Sequence, residues 1–348
     1  TAHSDDTWCR ELHALACARG GKGNLSHVSA CSLRRSFRSH AVPTLRQLEY
    51  FVALADLKHF GRAAQACNVS QPSLSQQLRA LELRLDVTLV ERNQTSVELT
   101  PIGRDIAERA RRLLVGVKDI RETARRGADG IAGTFRFGVT PTLGPYLMSN
   151  VISALHAEQP GLRLYIREGI PDEQAQELSR GQLDMMLGPQ PIAGHDLVIE
   201  PLFRERLFLV AAPDHPLAQK SRLETTDLQG YPVLSLHSTH HLHRQVAGFC
   251  IDFGMTLLRD YEGTSLDSLR QMAATGLALT ILPDLYIRSE AGGSEGVRVL
   301  EIEGWCPTRS IAAAWRRNAA YEDAFRQIAE QAGVQARKLM GQDMPCSI

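Results

Sequence analysis

The stretch FGRAAQACNVSQPSLSQQLRALELRL, Phe60 to Leu85, decides the reading of the first third of the chain, because it spells two helices joined by a tight turn. Ala63, Ala64 and Cys67 recur at helical spacing with side chains small enough for another helix to cross closely, and Asn68-Val69-Ser70 then breaks the pattern. Ser70 suits an N-cap, and Pro72 suits a first helical turn where no backbone donor is needed. Leu74, Leu78, Leu81 and Leu85 form an apolar stripe from there on. The opposite face carries Gln71, Ser73, Ser75, Gln76, Gln77 and Arg79. Gln and Arg are the side chains suited to bidentate contacts with adenine and guanine. The expectation is a recognition helix that presents its N-terminal end, Gln71 and Pro72 onward, to double-stranded DNA. An ordinary surface hairpin with one polar face would share these features.

The flanking residues add to this reading. Thr88 to Thr100 alternates apolar and polar (Leu89, Val97, Leu99) around the charged turn Glu91-Arg92-Asn93-Gln94, which predicts a small β-wing placing Arg92 beside a phosphate. A long helix is predicted from Thr100-Pro101, an N-cap followed by proline. Along it Ile106, Ala110, Leu113, Val117, Ile120 and Ala124 recur in alternating steps of four and three, a heptad seam. Such a seam asks for a partner, either a second copy of the chain, which would set two recognition helices on one duplex, or the chain's own C-terminal part.

These residues resemble a known family. Leu45-Arg46-Gln47-Leu48-Glu49-Tyr50-Phe51, Phe60 to Glu82 and Leu99-Thr100-Pro101-Ile102-Gly103 look like the winged helix-turn-helix and linker helix of LysR-type transcriptional regulators. Pro141 to Leu147, Asp214 to Ala218, Gly248-Phe249-Cys250 and Thr264 to Arg270 are similar to the peroxide-sensing OxyR branch of that family. The resemblance runs from about Pro43 to the C-terminus and is most specific in the first third.

Composition agrees with a globular regulator. The 348 residues give room for a small DNA-binding domain plus α/β domains, and no apolar run approaches the roughly 18 residues that span a bilayer. Formal net charge is zero, yet Thr44 to Gly130 holds about three more Lys and Arg than Asp and Glu, an excess placed where contact is proposed. Thr1 to Val42 is rich in Ser, His, Gly and Arg, includes Arg34-Arg35-Ser36-Phe37-Arg38, and carries Cys9, Cys17 and Cys31 without metal-site spacing. It reads as a flexible extension, either from an upstream translation start or foreign to the native protein, with a basic arm touching DNA as the alternative.

From Thr134 the period changes. Phe135 to Val139, Leu162 to Ile166, Leu183 to Leu187 and Leu207 to Ala211 read as short strands alternating with helices, the pattern of a parallel α/β sheet. Pro232 to Leu236, Leu257 to Glu262, Leu279 to Leu282 and Val297 to Ile302 predict a second unit, and Ser310 to Arg316 with a helix over Tyr321 to Ala332 returns to the first. The fold class is thus α/β. By resemblance, a periplasmic-binding-protein-like effector domain of two lobes follows the winged helix-turn-helix and linker helix. The expected division is 1–42 extension, 43–101 winged helix-turn-helix, 102–130 linker helix, 131–206 with 307–348 first lobe, and 207–306 second lobe.

The cleft between lobes is the implied effector site. Thr140 and Thr142 in a strand-to-helix turn, Thr264 and Ser265 in a second, and Ser238, His240 and His241 in a third can hold an anion, carboxylate or water, although Ser and Thr also cap helices everywhere. By resemblance, the peroxide sensors have a reactive cysteine at the position of His241 and a resolving cysteine matched by Cys250. Imidazole forms neither a sulfenic acid nor a disulfide, so the familiar thiol switch is closed to this chain. Cys250 stays a redox candidate, its apolar neighbours Phe249 and Ile251 pointing instead to an inert buried thiol. His237, His240, His241 and His243 fall within seven positions, and His237 and His241 would share a face if the segment were helical. That opens a metal, pH or anion response, though no acidic residue or cysteine joins them locally. No metal or other cofactor is expected.

The resulting expectation is a cytoplasmic regulator, by resemblance a homotetramer built as a dimer of dimers, answering an oxidative or other small-molecule signal and working with RNA polymerase. A solute-binding protein or enzyme on the α/β lobes is the competing class. No nucleophile elbow, phosphate loop or paired catalytic carboxylates support a reaction.

Overall fold

The computed structural model describes residues 42–92, 97–129, 133–291 and 296–341. The expected N-terminal extension, apart from Val42, lies outside the described residues, as do Asn93 and Gln94 of the expected turn. The chain divides into two compact units, the first ending at Ala107 and the second starting at Glu108.

In the first unit α1 (Leu45–Leu57) opens with a capping box: Gln47 N donates to Thr44 Oγ1, and Thr44 N donates to Gln47 Oε1. Gln47 is buried, and it stays satisfied because its Nε2 donates to Gln77 Oε1 at 3.1 Å while its Oε1 accepts from Arg84 Nη1 at 3.0 Å. Gln77 therefore serves the interior of the helical cluster and leaves the polar face to which its sequence position assigns it. Next come α2 (Phe60–Ala66) and α3 (Gln71–Leu85). The turn between them closes as Asn68 takes φ 54°, a left-handed conformation Asn tolerates, and Val69 N donates to Ala64 O at 3.0 Å. Ser70 caps α3, its Oγ accepting from Ser73 N at 3.3 Å. Leu74, Leu78 and Leu81 are buried among the three helices and Leu85 is half-buried.

The wing is narrower than the alternation implies. β1 (Val90–Arg92) pairs antiparallel with β2 (Val97–Leu99), Val90 opposite Leu99. Glu91 and Arg92 therefore belong to a strand and not to a turn. α4 (Pro101–Asp129) begins where Thr100 Oγ1 donates to Thr88 O at 2.8 Å and accepts from Gly103 N at 2.9 Å. Gly103 is obligatory there, because a Cβ on it would sit 2.1 Å from Leu89 O. Of the heptad seam, Ala110 is buried, Ile106 and Val117 are half-buried, and Leu113, Ile120 and Ala124 are exposed. Val115 and Asp119, on a neighbouring face, turn toward the second unit's own body.

That second unit is one continuous mixed sheet. Its elements are β3 (Gly133–Val139), α5 (Gly144–Glu158), β4 (Leu162–Glu168), α6 (Pro171–Ser179), β5 (Met185–Pro189), β6 (Leu197–Ala211) and β7 (Pro232–Leu236). They continue with α7 (His241–Asp252), β8 (Thr256–Gly263), α8 (Leu266–Ala274), β9 (Leu279–Pro283), β10 (Arg298–Leu300), β11 (Thr308–Arg316) and α9 (Glu322–Met340). Strand order is β4-β3-β5-β11-β6-β9-β7-β8, with β10 on β6. β3 pairs parallel with β4 and β5, and β7 pairs parallel with β8 and β9, as the strand-helix alternation requires. β6 and β11 run antiparallel to their neighbours, which corrects the expectation of a purely parallel sheet.

β6 is also the element most understated by its sequence. Only Leu207 to Ala211 reads as a strand, because Glu200, Arg204, Glu205 and Arg206 interrupt the apolar pattern upstream. In the fold it pairs with β11 from Leu197 to Arg206, then with β9 from Leu207 onward, and Leu207 N donates to Pro307 O at 2.9 Å where the chain crosses back. One lobe is thus built on β3, β4, β5 and β11 with α9 covering Phe135 and Trp315 through Phe325, and the other on β7, β8 and β9. α9 reaches Met340, two turns past the expected end.

Candidate functional site

The first site is the face of α3. Gln71, Pro72, Gln76 and Arg79 are exposed, and Ser73 and Ser75 are half-buried. The capped N-terminus leaves first-turn amides and the positive end of the helix dipole outward, a favourable setting for phosphate oxygens. Arg92 stands on β1, and its side chain lies outside the described residues.

The second site lies where the carboxyl ends of the parallel strands meet between lobes, the place α/β sheets use for ligands. Arg309, near the start of β11, is its hub. Its Nε donates to Glu205 Oε2 at 2.7 Å, its Nη1 to Thr142 Oγ1 at 2.7 Å and its Nη2 to Thr142 O at 3.0 Å. Glu205 is fully buried; burial pushes its carboxyl up, opposed by the Arg309 charge and by the Leu285 amide donating to Oε1 at 2.9 Å. The Thr142 hydroxyl oxygen and carbonyl thus both accept from Arg309. Thr140 is buried one turn away.

The remaining hydroxyls separate. Ser265 caps α8, its Oγ accepting from Ser268 N at 3.2 Å, so the capping role applies there. Thr264 and Ser238 are exposed. The histidine segment is not a continuous helix, because α7 starts only at His241 with His240 as its N-cap. His237 consequently shares no helical face with His241; its Nε2 lies 3.4 Å from Glu262 Oε2 and its Nδ1 engages Thr239 Oγ1. His243 Nδ1 engages Leu236 O at 2.8 Å. Among the described residues no three His, Cys, Asp or Glu side chains are gathered to hold a metal ion.

His241 stands within electrostatic reach of Arg309 and Asp172, and its ring engages the Gln190 backbone, while the charges acting on His240 are its neighbours His237 and His243. The Nδ1 atoms of His240 and His241, with Oε1 of Gln245 one turn along α7, are buried without a hydrogen-bond partner in the protein. Burial, then the Arg244 and Arg309 charges, hold the His241 ring below the ordinary imidazole value, and burial with His237 and His243 does the same for His240. Gln245 and Arg309 also line a cavity of about 520 Å³ with Gln190, Ile192 and Ser310. Above it Arg244 Nη1 donates to Asp172 Oδ2 at 2.9 Å, an ion pair spanning α7 and α6, hence the two lobes. Cys250 sits nine residues along α7, buried, its thiol pushed up to about 11 by that burial. Among the described residues the free thiols are Cys67 and Cys250.

Glu205, Arg309, Gln245 and Asp172 escaped sequence reading. The available signal was charge set against apolar strand residues, Glu205 within Arg204-Glu205-Arg206 before Leu207 and Arg309 before Ile311.

Residues 45–104 match the family described as bacterial regulatory helix-turn-helix protein, lysR family, and residues 128–335 match the LysR substrate binding domain. The chain belongs to the LysR family. It is a DNA-binding transcriptional regulator and not an enzyme. Among curated relatives, this LysR-family chain is 36% identical over 286 residues to the hydrogen peroxide-inducible genes activator of Dickeya chrysanthemi, spanning 82% of this chain and 93% of the relative. It is equally identical, over the same shares, to the DNA-binding transcriptional dual regulator OxyR of Escherichia coli K12. A full-length OxyR variant from Pseudomonas aeruginosa superposes with a TM-score of 0.67 at 32% identity, covering 87% of this chain and 99% of that one. A hydrogen peroxide-bound OxyR mutant from Corynebacterium glutamicum gives 0.58 at 29% identity, covering 86% and 95%. No helix among the described residues is long and apolar enough to cross a membrane.

Proposed function

We propose that this regulator acts in the bacterial cytoplasm as a dimer of dimers, reads DNA with Gln71, Pro72, Ser73, Ser75, Gln76, Arg79 and Arg92, and controls RNA polymerase in response to a signal bound between its effector lobes. The exposed part of the α4 seam, Leu113, Ile120 and Ala124, supports pairing through that helix. Likeness to peroxide-inducible activators supports an oxidative-stress role. His241 stands, in our reading, where such relatives carry the reactive cysteine, and the signal is then recognised without a cysteine pair.

The observation that carries this reading is the set of unpartnered buried atoms on one end of α7: His240 Nδ1, His241 Nδ1 and Gln245 Oε1. Buried polar atoms ask for partners, and a small hydrogen-bonding effector between the lobes would supply them. Cys250 supports the same conclusion from the other side, since a deeply buried thiol titrating near 11 is a poor nucleophile. An effector acts only through different affinities for the two lobe arrangements, and the Arg244–Asp172 pair, which joins α7 to α6, is a contact that a change of lobe arrangement would have to break.

A promoter-reporter strain tests this with hydrogen peroxide as the probe. Cys250→Ser is expected to leave any peroxide response intact, while His241→Ala and Gln245→Ala shift it. Loss of the response in Cys250→Ser alone would replace this reading with a thiol switch.

A further inference from the structure

We propose that the groove between the second half of α4 and the first lobe binds an amphipathic organic anion, a small molecule with an apolar body and a carboxylate or sulfonate head. The site is separate from the cleft at α7 and does not rest on the effector reading given for that cleft.

The groove holds about 920 Å³, within the roughly 300–1,000 Å³ of small-molecule pockets. Every residue lining it comes from Glu108 onward, so the whole site belongs to the second unit. Its wall is apolar. Val115 of α4 and Ala175 of α6 are buried against it, and Ile120, which also lines it, is left 70% exposed. The one α6 hydroxyl among the lining residues is satisfied within its own helix, Ser179 Oγ donating to Ala175 O at 3.0 Å.

Gly116 keeps the groove open. Glycine is among the poorest helix formers, yet α4 runs unbroken through this position. At Gly103 the reason for glycine is steric, but at Gly116 an added Cβ would meet nothing within 4 Å. No close packing calls for a glycine there. What the missing side chain does is leave its volume to the groove, which Gly116 lines.

Charge then selects the ligand. Two lining carboxylates are already neutralised: Glu108 Oε2 accepts from Arg111 Nη1 at 3.1 Å, and Asp119 Oδ1 accepts from Arg316 Nη2 at 3.2 Å. Arg316 is buried and its Nη1 is spent on the Leu183 and Leu178 carbonyls at 2.7 and 3.2 Å, so it offers no charge outward. Arg112, Arg180 and Arg317 are different. All are exposed lining residues, and among the described residues their side chains make no ion pair or hydrogen bond. Asp196 is the carboxylate that opposes them. A guanidinium fork suits a carboxylate or sulfonate head, while the apolar wall takes the body. A cation of the same shape would meet an excess of like charge.

Titration calorimetry on the full chain tests the site, with decanoate as the anionic probe and decylamine as its cationic counterpart. Decanoate is expected to bind, and decylamine to bind at least about tenfold more weakly. Gly116→Leu places a side chain in open space, so it should weaken decanoate at least about tenfold while melting at or above the wild-type temperature. Arg180→Gln with Arg317→Gln should weaken decanoate about tenfold and remove most of its salt dependence. Full affinity in Gly116→Leu, with loss in Gln245→Ala, would put the ligand in the α7 cleft and overturn the proposal. Equal affinity for decanoate and decylamine overturns it too, since charge would then select nothing. So does a decanoate that lowers the wild-type melting temperature, the mark of binding to the unfolded chain. Absence of binding to the wild type also overturns it, including the case in which a second copy of α4 covers Ile120.

Discussion

Replacing Arg309 by Met leaves the Glu205 carboxylate fully buried with the Leu285 amide as its remaining donor, and strips Thr142 of the donors to both its hydroxyl and its carbonyl. Methionine fills comparable volume, so the loss is electrostatic and not a cavity. Breaking one side of a buried pair in this way costs about 3–5 kcal/mol, because the partner charge stays desolvated. For a unit of this size each kcal/mol moves the melting temperature by roughly 2–4 °C, so Arg309→Met should melt roughly 6–20 °C lower. The double variant Glu205→Met with Arg309→Met removes both charges and should recover most of that loss. There is also a pH signature. Without Arg309, burial drives the Glu205 carboxyl further up, so the folded variant binds a proton the unfolded chain does not, and its deficit shrinks as pH falls from 7 toward 5. Thermal and urea unfolding followed by circular dichroism at both pH values measure all of this. A deficit under about 1 kcal/mol, or a double variant no better than the single, would refute the view that the pair is held by mutual neutralisation.

Gly103→Ala should destabilise the first unit and abolish DNA binding together, since its Cβ must displace Leu89 O and break the Thr100 cap; circular dichroism melting of the purified variant checks it. Arg79→Ala and Gln76→Ala should each weaken operator binding by about 1–3 kcal/mol without changing the melting temperature. Gln77→Ala should do the reverse, lowering stability through Gln47 while leaving base discrimination intact; filter binding and melting on the same samples separate the two. His240 and His241 are disfavoured as cations in the folded chain, so the folded state binds fewer protons than the unfolded one. Stability should therefore fall as pH drops from 7 through the ordinary value of 6.5, and His241→Gln should flatten that slope in a melting series.

The reading head was legible because its determinants are local. A cap at Ser70, leucines at steps of four and three, and a break at Asn68 set helix positions through contacts within a turn or two, and the structure keeps those positions. Gln77 shows the limit even there: its place on the helix follows from the sequence, but its turn toward Gln47, thirty positions away, follows from packing. In the effector unit, apolar runs gave the parallel strands, while β6 hid behind its charges. Glu205 looks like a surface residue until Arg309, from the far end of the chain, is laid beside it.

The sequence by itself determined which elements form, their order, and the chemistry available at α3 and at the start of α7, since propensity, capping and periodicity act over short separations. Only the tertiary structure decided which polar groups remain open. It took Thr142 into the Arg309 network, spent Ser265 on a helix cap, left the Nδ1 atoms of His240 and His241 unpartnered, and brought Asp184 against Lys118. Whether a side chain is satisfied depends on which distant strand arrives beside it, and that is settled by the folded chain as a whole.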